Sequence, residues 1–220
     1  MAAVSAPVRV LIVDDDALVR AGLTMMLGGV DDIVVVGEAS DGDAVAAAAD
    51  AHAPDVVLMD IRMPRLDGIT ATARLRRRQH PPEVIVLTTF DADELVLRAL
   101  RVGASGFLLK DTPPAEIVDA IRRVAAGDPI LSARITRRLI DMVATDDGAR
   151  ERARRALATL SGRERDVVLG IAQGRSNAEL AAALHISVAT VKAHVSSILS
   201  KLGLDNRTQI ALLVHDAGAA

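Results

Sequence analysis

Five short apolar runs in the first 126 residues, Val8–Val13, Ile33–Val36, Val56–Met59, Val84–Leu87 and Gly106–Leu109, constrain the fold more than any other feature. Each is four to six residues long, the length of a buried strand and too short for a typical helix. Between them lie stretches with helical spacing. Leu18, Val19, Leu23, Met26 and Leu27 form one, stopped by Gly28-Gly29. Asp43–His52, Ile69–Arg78 and Leu95–Val102 follow, and a last helix opens at Pro113-Pro114 and runs through Ala126. Proline suits the first turn of such a helix. Strand and helix alternating five times predict a doubly wound five-stranded parallel sheet of α/β class.

Right-handed crossovers place the carboxyl end of every parallel strand on one edge of the sheet. Open α/β sheets carry their chemistry there. The residues just past the strands are Asp14 and Asp15, Asp60, Thr88 and Lys110. Alone, Asp60 reads as a turn aspartate between Met59 and Pro64. Four companions at other strand ends change that reading. Three carboxylates on one edge repel each other and demand a cation, and hard oxygens with open positions suit Mg²⁺. An aspartate in such a site can attack phosphorus and form an aspartyl phosphate. Lys110 and Thr88 would then neutralise and hydrogen-bond the phosphoryl oxygens. Neither a P-loop nor a dinucleotide G-x-G-x-x-G motif is present, so the edge is a poor nucleotide site.

Composition excludes other chemistry. The 220 residues contain no cysteine, which rules out disulfides and thiolate sites. Phe90 and Phe107 are the only aromatics, so the core is built from Val, Leu, Ile and Ala. The start, Met1 to Pro7, lacks a signal-peptide pattern and no apolar run spans a membrane, from which a soluble cytoplasmic protein is expected. Residues 1–127 hold 13 Lys and Arg against 19 Asp and Glu, a balance of −6; residues 128–220 hold 13 against 10, a balance of +3. Two modules with different partners follow from that asymmetry.

Past Gly127 the strands stop. Ile130–Val143 has helical spacing, and Thr145–Arg155 is charged and reads as a flexible, partly helical linker. Ser161-Gly162-Arg163-Glu164 and Ser176-Asn177-Ala178-Glu179 both fit the capping box. A helix ending at Leu184, the turn His185-Ile186-Ser187 and a helix over Val188–Leu202 have the form of a helix-turn-helix. On the last of these, Val188, Val191, Val195, Ile198, Leu199 and Leu202 fall on the inward face by periodicity. Lys192, Ala193 and Ser196 lie opposite, where a recognition helix meets base edges; Thr190, His194, Lys201 and Arg207 lie nearer phosphates. An amphipathic core helix with a solvated face is the competing reading.

Four segments resemble the receiver domain of bacterial two-component response regulators. They are Ile12-Val13-Asp14-Asp15, Leu58-Met59-Asp60-Ile61-Arg62-Met63-Pro64, Leu87-Thr88 and Gly103-Ala104-Ser105-Gly106-Phe107-Leu108-Leu109-Lys110. The resemblance implies a flavodoxin-like sheet of order 2-1-3-4-5 over residues 8–126. It implies Asp60 as the residue phosphorylated by a partner histidine kinase, Asp15 as a direct Mg²⁺ ligand and Asp14 as a ligand through water. The backbone carbonyl of Arg62 is implied as a further ligand, and Thr88 with Phe107 as a switch pair.

The segment Leu160-Ser161-Gly162-Arg163-Glu164-Arg165-Asp166-Val167, the segment Gly174 to Ala181, the segment Ser187 to Val195 and Lys201-Leu202 resemble the LuxR-type DNA-binding domain, over about residues 156–217. Receiver and DNA-binding domain together, joined by a helical linker over 127–155, resemble the NarL/FixJ class. That class implies a transcription factor that homodimerises on phosphorylation and binds inverted half-sites in promoter DNA, with Arg207–His215 as a dimer contact. Two alternatives stand beside it. A Mg²⁺-dependent phosphohydrolase with Asp60 as nucleophile would need an acidic residue two positions on, where the chain has Arg62. A DNA-binding scaffold independent of phosphorylation would have no use for the acceptor residues.

Overall fold

The computed structural model describes residues 6–89, 93–128, 130–131 and 147–218. The chain divides into two compact units between residues 132 and 133.

The first unit is a parallel sheet of strands β1 (Val8–Val13), β2 (Ile33–Ala39), β3 (Val56–Met59), β4 (Glu83–Thr88), β5 (Gly106–Leu109) and β6 (Ile130–Leu131). Their order is β2-β1-β3-β4-β5-β6. The five long strands therefore run 2-1-3-4-5, as expected. Helices α1 (Ala17–Leu27), α2 (Val45–His52), α3 (Gly68–Arg76), α4 (Asp93–Arg101) and α5 (Pro114–Ala125) connect them, with a 3₁₀ turn over Gly42–Ala44 ahead of α2.

Period-two alternation sorts the strand residues between two cores. Val10 and Ile12 of β1 and Val56 and Leu58 of β3 pack with Leu27 of α1 and Ile121 of α5. Their neighbours Leu11, Val13, Val57 and Met59 pack with Ala49 of α2 and Leu75 of α3 on the other face. Both faces of the sheet are thus covered, which is why these strands read as unbroken apolar runs rather than alternating ones.

One expectation needs correction. Ile130 and Leu131, expected to begin a helix, instead pair in parallel with Gly106 and Phe107. The rest of that expected helix lies outside the described residues. Two apolar residues carry no period of their own, and the open edge of β5 offers them a ladder.

The second unit contains α6 (Asp147–Ala158), α7 (Gly162–Ala172), α8 (Asn177–Leu184), α9 (Val188–Leu202) and α10 (Arg207–Asp216). Helix α6 covers most of the stretch expected as linker and is tied to α10: Ala153 is buried, and Arg154 Nε donates to the Ala217 carbonyl at 3.1 Å. Val167, Ile171, Leu180, Val191, Ile198, Ile210 and Val214 form the shared core of the bundle. Both expected capping boxes are present, Ser161 with Glu164 and Ser176 with Glu179. Among the described residues no single helix is long and apolar enough to cross a membrane.

Candidate functional site

Each side chain at the sheet edge is placed by the end of a strand. Asp14 follows β1, and its N–H donates to the Ala39 carbonyl of β2. Asp60 follows β3, and its N–H donates to the Val13 carbonyl at 2.8 Å, extending the ladder by one residue. Lys110 follows β5, and its N–H donates to the Thr88 carbonyl at 2.8 Å. Asp14, Asp15 and Asp60 each bring a carboxylate oxygen to within 4.8 Å of the others. Lys110 Nζ lies 2.6 Å from Asp14 Oδ2 and 3.3 Å from Asp60 Oδ1. Asp14 and Asp60 are buried, whereas Asp15 is exposed. The neighbouring Asp16 caps α1, accepting from the Leu18 N–H at 2.8 Å.

The charges do not balance. In the ion pairs of the described residues Asp14 and Asp60 share the Lys110 ammonium, Asp15 adds a third carboxylate to the cluster, and the ionised forms of Asp14 and Asp60 are cut off from water. Burial pushes the Asp60 carboxyl above the ordinary carboxylate range; Lys110 opposes this and the Asp14 charge adds to it. For Lys110, burial alone would lower the ammonium. Its hydrogen bond to Asp14 and the charges of Asp60 and Asp14 outweigh that and hold it above the ordinary lysine value. A set of three hard oxygens with net negative charge fits a divalent hard cation.

The loop after Asp60 is fixed from two sides. Asp60 Oδ2 accepts from the Arg62 N–H at 3.0 Å. A Cβ at Gly68 would lie 1.9 Å from the Asp60 carbonyl oxygen, so only glycine lets α3 begin there. Its N–H closes the loop on the Ile61 carbonyl at 2.9 Å. From the other side, the buried Asp41 accepts from the N–H groups of Arg65 and Leu66, both at 2.9 Å. Asp41 escapes a reading that looks only directly after each strand, because it stands two residues beyond β2 on the same edge. An open cleft of about 520 Å³ lies beside the cluster, with Asp15 and Arg62 in its wall. Thr88 is buried at the end of β4, and the fully buried Phe107 pairs with Val86 and Leu131 on its two sides.

In the second unit α8 and α9 meet at 106°, within the range of a helix-turn-helix. His185 ends α8 in the left-handed region at φ 54°, and Ser187 caps α9 by accepting from the Thr190 N–H at 3.0 Å. Thr190, Lys192, Ala193 and Ser196 are exposed and His194 is half-buried. Two sequence expectations change here, at Arg207 and Val188, and Lys201 gains a partner. Arg207 is buried, and its guanidinium donates to Asn177 Oδ1 at 2.7 Å and to the Arg175 carbonyl. It is a strut between α10 and α8, with its charge turned inward, and not a phosphate contact. Lys201 lies 2.7 Å from Glu164 Oε1 while its side chain stays 48% exposed, so the ammonium has a partner within the unit and still faces solvent. Val188, placed inward by periodicity, is 42% exposed, because every residue from Ser187 to Thr190 stands clear of the bundle.

Residues 10–122 match the family described as the response regulator receiver domain, and residues 158–214 match the bacterial regulatory proteins of the luxR family. The chain is a response regulator. It is 40% identical over 210 residues to the transcriptional regulatory protein LiaR of Bacillus subtilis, covering 94% of this chain and 97% of that one. It is 38% identical over 205 residues to the response regulator protein VraR of Staphylococcus aureus, covering 93% and 95%. The crystal structure of the response regulator ChrA of a heme-sensing two-component system superposes with a TM-score of 0.54 at 38% identity, covering 98% of this chain and all of that one. The receiver domain of a NarL from Mycobacterium tuberculosis superposes at 0.54 with 41% identity, covering 56% and 99%. A response regulator with a LuxR-type DNA-binding domain implies a sensor kinase and promoter DNA as partners. Receivers typically bind Mg²⁺ at an acidic pocket, and Asp14, Asp15 and Asp60 form an acidic cluster here.

Proposed function

We propose that this response regulator switches transcription when Asp60 accepts a phosphoryl group from the phosphohistidine of its sensor kinase. A P–O bond forms to Asp60 as the P–N bond of the donor breaks, and the imidazole leaves. The observation that carries this reading is the excess of buried negative charge at Asp14 and Asp60 beside a single Lys110 ammonium. Lys110 meets one phosphoryl oxygen and the Thr88 hydroxyl donates to another. Asp14, Asp15, Asp60 and the Arg62 carbonyl would hold Mg²⁺, which when bound supplies the positive charge the carboxylates lack. Thr88 moving toward the phosphoryl group, with the Phe107 ring following, makes the switch. Residues 8–126 act as the receiver, 127–155 as the linker and 156–217 as the DNA-binding domain of a cytoplasmic protein.

At the DNA, α9 acts as the recognition helix. Lys192, Ala193 and Ser196 face base edges, with Thr190 and His194 toward phosphates. Phosphorylation favours a homodimer that spans two half-sites, with α10 as the contact. The phosphohydrolase reading is not favoured: Arg62 stands where its acid would be, and the relatives are transcriptional regulators.

The test is incubation with phosphoramidate and Mg²⁺, followed by intact mass, light scattering and binding to a promoter fragment. One phosphoryl group, a doubled mass in solution and tighter DNA binding are expected, all lost in Asp60→Asn. A phosphoryl group retained by Asp60→Asn would refute the assignment.

A further inference from the structure

The recognition helix carries an apolar side chain where it meets solvent first. Val188 is the first residue of α9 and is 42% exposed. It belongs to a run of four exposed residues, Ser187 to Thr190, that ends where Val191 enters the core of the bundle. Ala189 and Ala193 continue the apolar surface, and Lys192, one turn on from Val188, brings a cation to the same end of the helix. Over its first six residues α9 exposes Val188, Ala189 and Ala193 and one cation, Lys192, so its opening turns offer a base pair more methyl groups than charges.

We infer that Val188 is a specificity-determining residue that reads a thymine methyl group in the major groove. The inference rests on the reading of α9 as the recognition helix. A recognition helix presents its N-terminal residues to base edges. Val188 can neither donate nor accept a hydrogen bond, and the C5 methyl of thymine is the one apolar group a base edge shows in that groove. Lys192, one turn on, faces the adjacent guanine edge, which fits a duplex rather than a protein as the occupant. The competing cause of an exposed valine, mere surface scatter, predicts no dependence on any single methyl group.

The test uses the full chain treated with phosphoramidate and Mg²⁺, and a pool of random-sequence duplexes from which binders are selected. In an enriched duplex each dT is then replaced singly by dU, which removes only the methyl group. At one position per half-site the replacement weakens binding of the unaltered chain about four-fold, the value of one buried methyl. Val188→Ala binds the dT and dU duplexes equally, and Val188→Ile retains the preference for dT. Indifference of the unaltered chain to every dU, or a Val188→Ala chain that still discriminates, overturns the inference. So does a Val188→Ala effect confined to self-association, which would assign the side chain to a protein contact. A pool in which no duplex is enriched overturns the DNA-reading role of α9 itself, and the inference with it.

Discussion

Two carboxylate–lysine sites, one in each unit, use the same ingredients to opposite effect. In the second unit Glu164 is buried but fully served: Lys201 reaches it at 2.7 Å, Ser197 at 3.1 Å, and the Ser161 N–H and hydroxyl at 2.9 and 2.8 Å. The hydrogen bond from Lys201, then those from Ser161, lower its carboxyl to about 2. At the sheet edge of the first unit Lys110 is shared between Asp14 and Asp60, and Asp15 adds a third charge close by. There burial raises the Asp60 carboxyl. The number of donors per carboxylate decides the difference. A satisfied pair fixes two helices, and an unsatisfied one favours any positive charge that arrives.

The sharpest way to break that contrast is to remove each lysine. Lys110→Met leaves Asp14 and Asp60 buried and uncompensated and should cost the receiver about 3 kcal/mol in chemical denaturation. An unchanged midpoint would mean that water already screens the cluster. Asp60→Asn should act in reverse. A carboxyl raised above its unfolded value favours folding only at low pH and costs stability as pH rises through the unfolded value toward the folded one. Removing it should therefore raise the melting temperature at neutral pH, and a lowered one would contradict the charge surplus.

Glu164 has the opposite sign. Its lowered carboxyl contributes stability above about 4.5 that is lost as pH falls toward about 2. Glu164→Gln should flatten that part of the stability profile of the second unit, read by circular dichroism. A slope that survives the substitution would place the acid sensitivity elsewhere. The smallest effect separates two cations on α9. Lys192→Ala should reduce the slope of log affinity against log salt by about one, whereas Lys201→Ala should leave the slope alone and lower the melting temperature. Equal slopes for both would make Lys201 a phosphate contact as well as a partner of Glu164.

The sheet was legible in the sequence because strands buried on both faces leave uninterrupted apolar runs, as Val10–Val13 and Val56–Met59 do. The acidic edge was legible because its members directly follow those runs. Asp41 was not, since it stabilises a loop contributed by a different crossover, and nothing local marks it. The second unit was read correctly where caps act over three residues, at Ser161 and Ser176. It was misread where a charge depends on distant partners. Arg207 has the look of a solvated arginine until Asn177 and Arg175, some thirty residues back, are brought beside it. Val188 shows the limit of periodicity: an angle around a helix axis says nothing about whether the rest of the bundle extends that far.

Strand β6 joins the sheet through two residues, paired to β5 at Gly106 and Phe107, and the boundary between the units follows immediately. It sits at the end of the strand order, so its ladder is with β5 alone. Peeling Ile130 and Leu131 from that ladder would free roughly 7 Å of chain from the sheet. The last residues that the first unit holds in register are therefore fixed by the strand that carries Phe107.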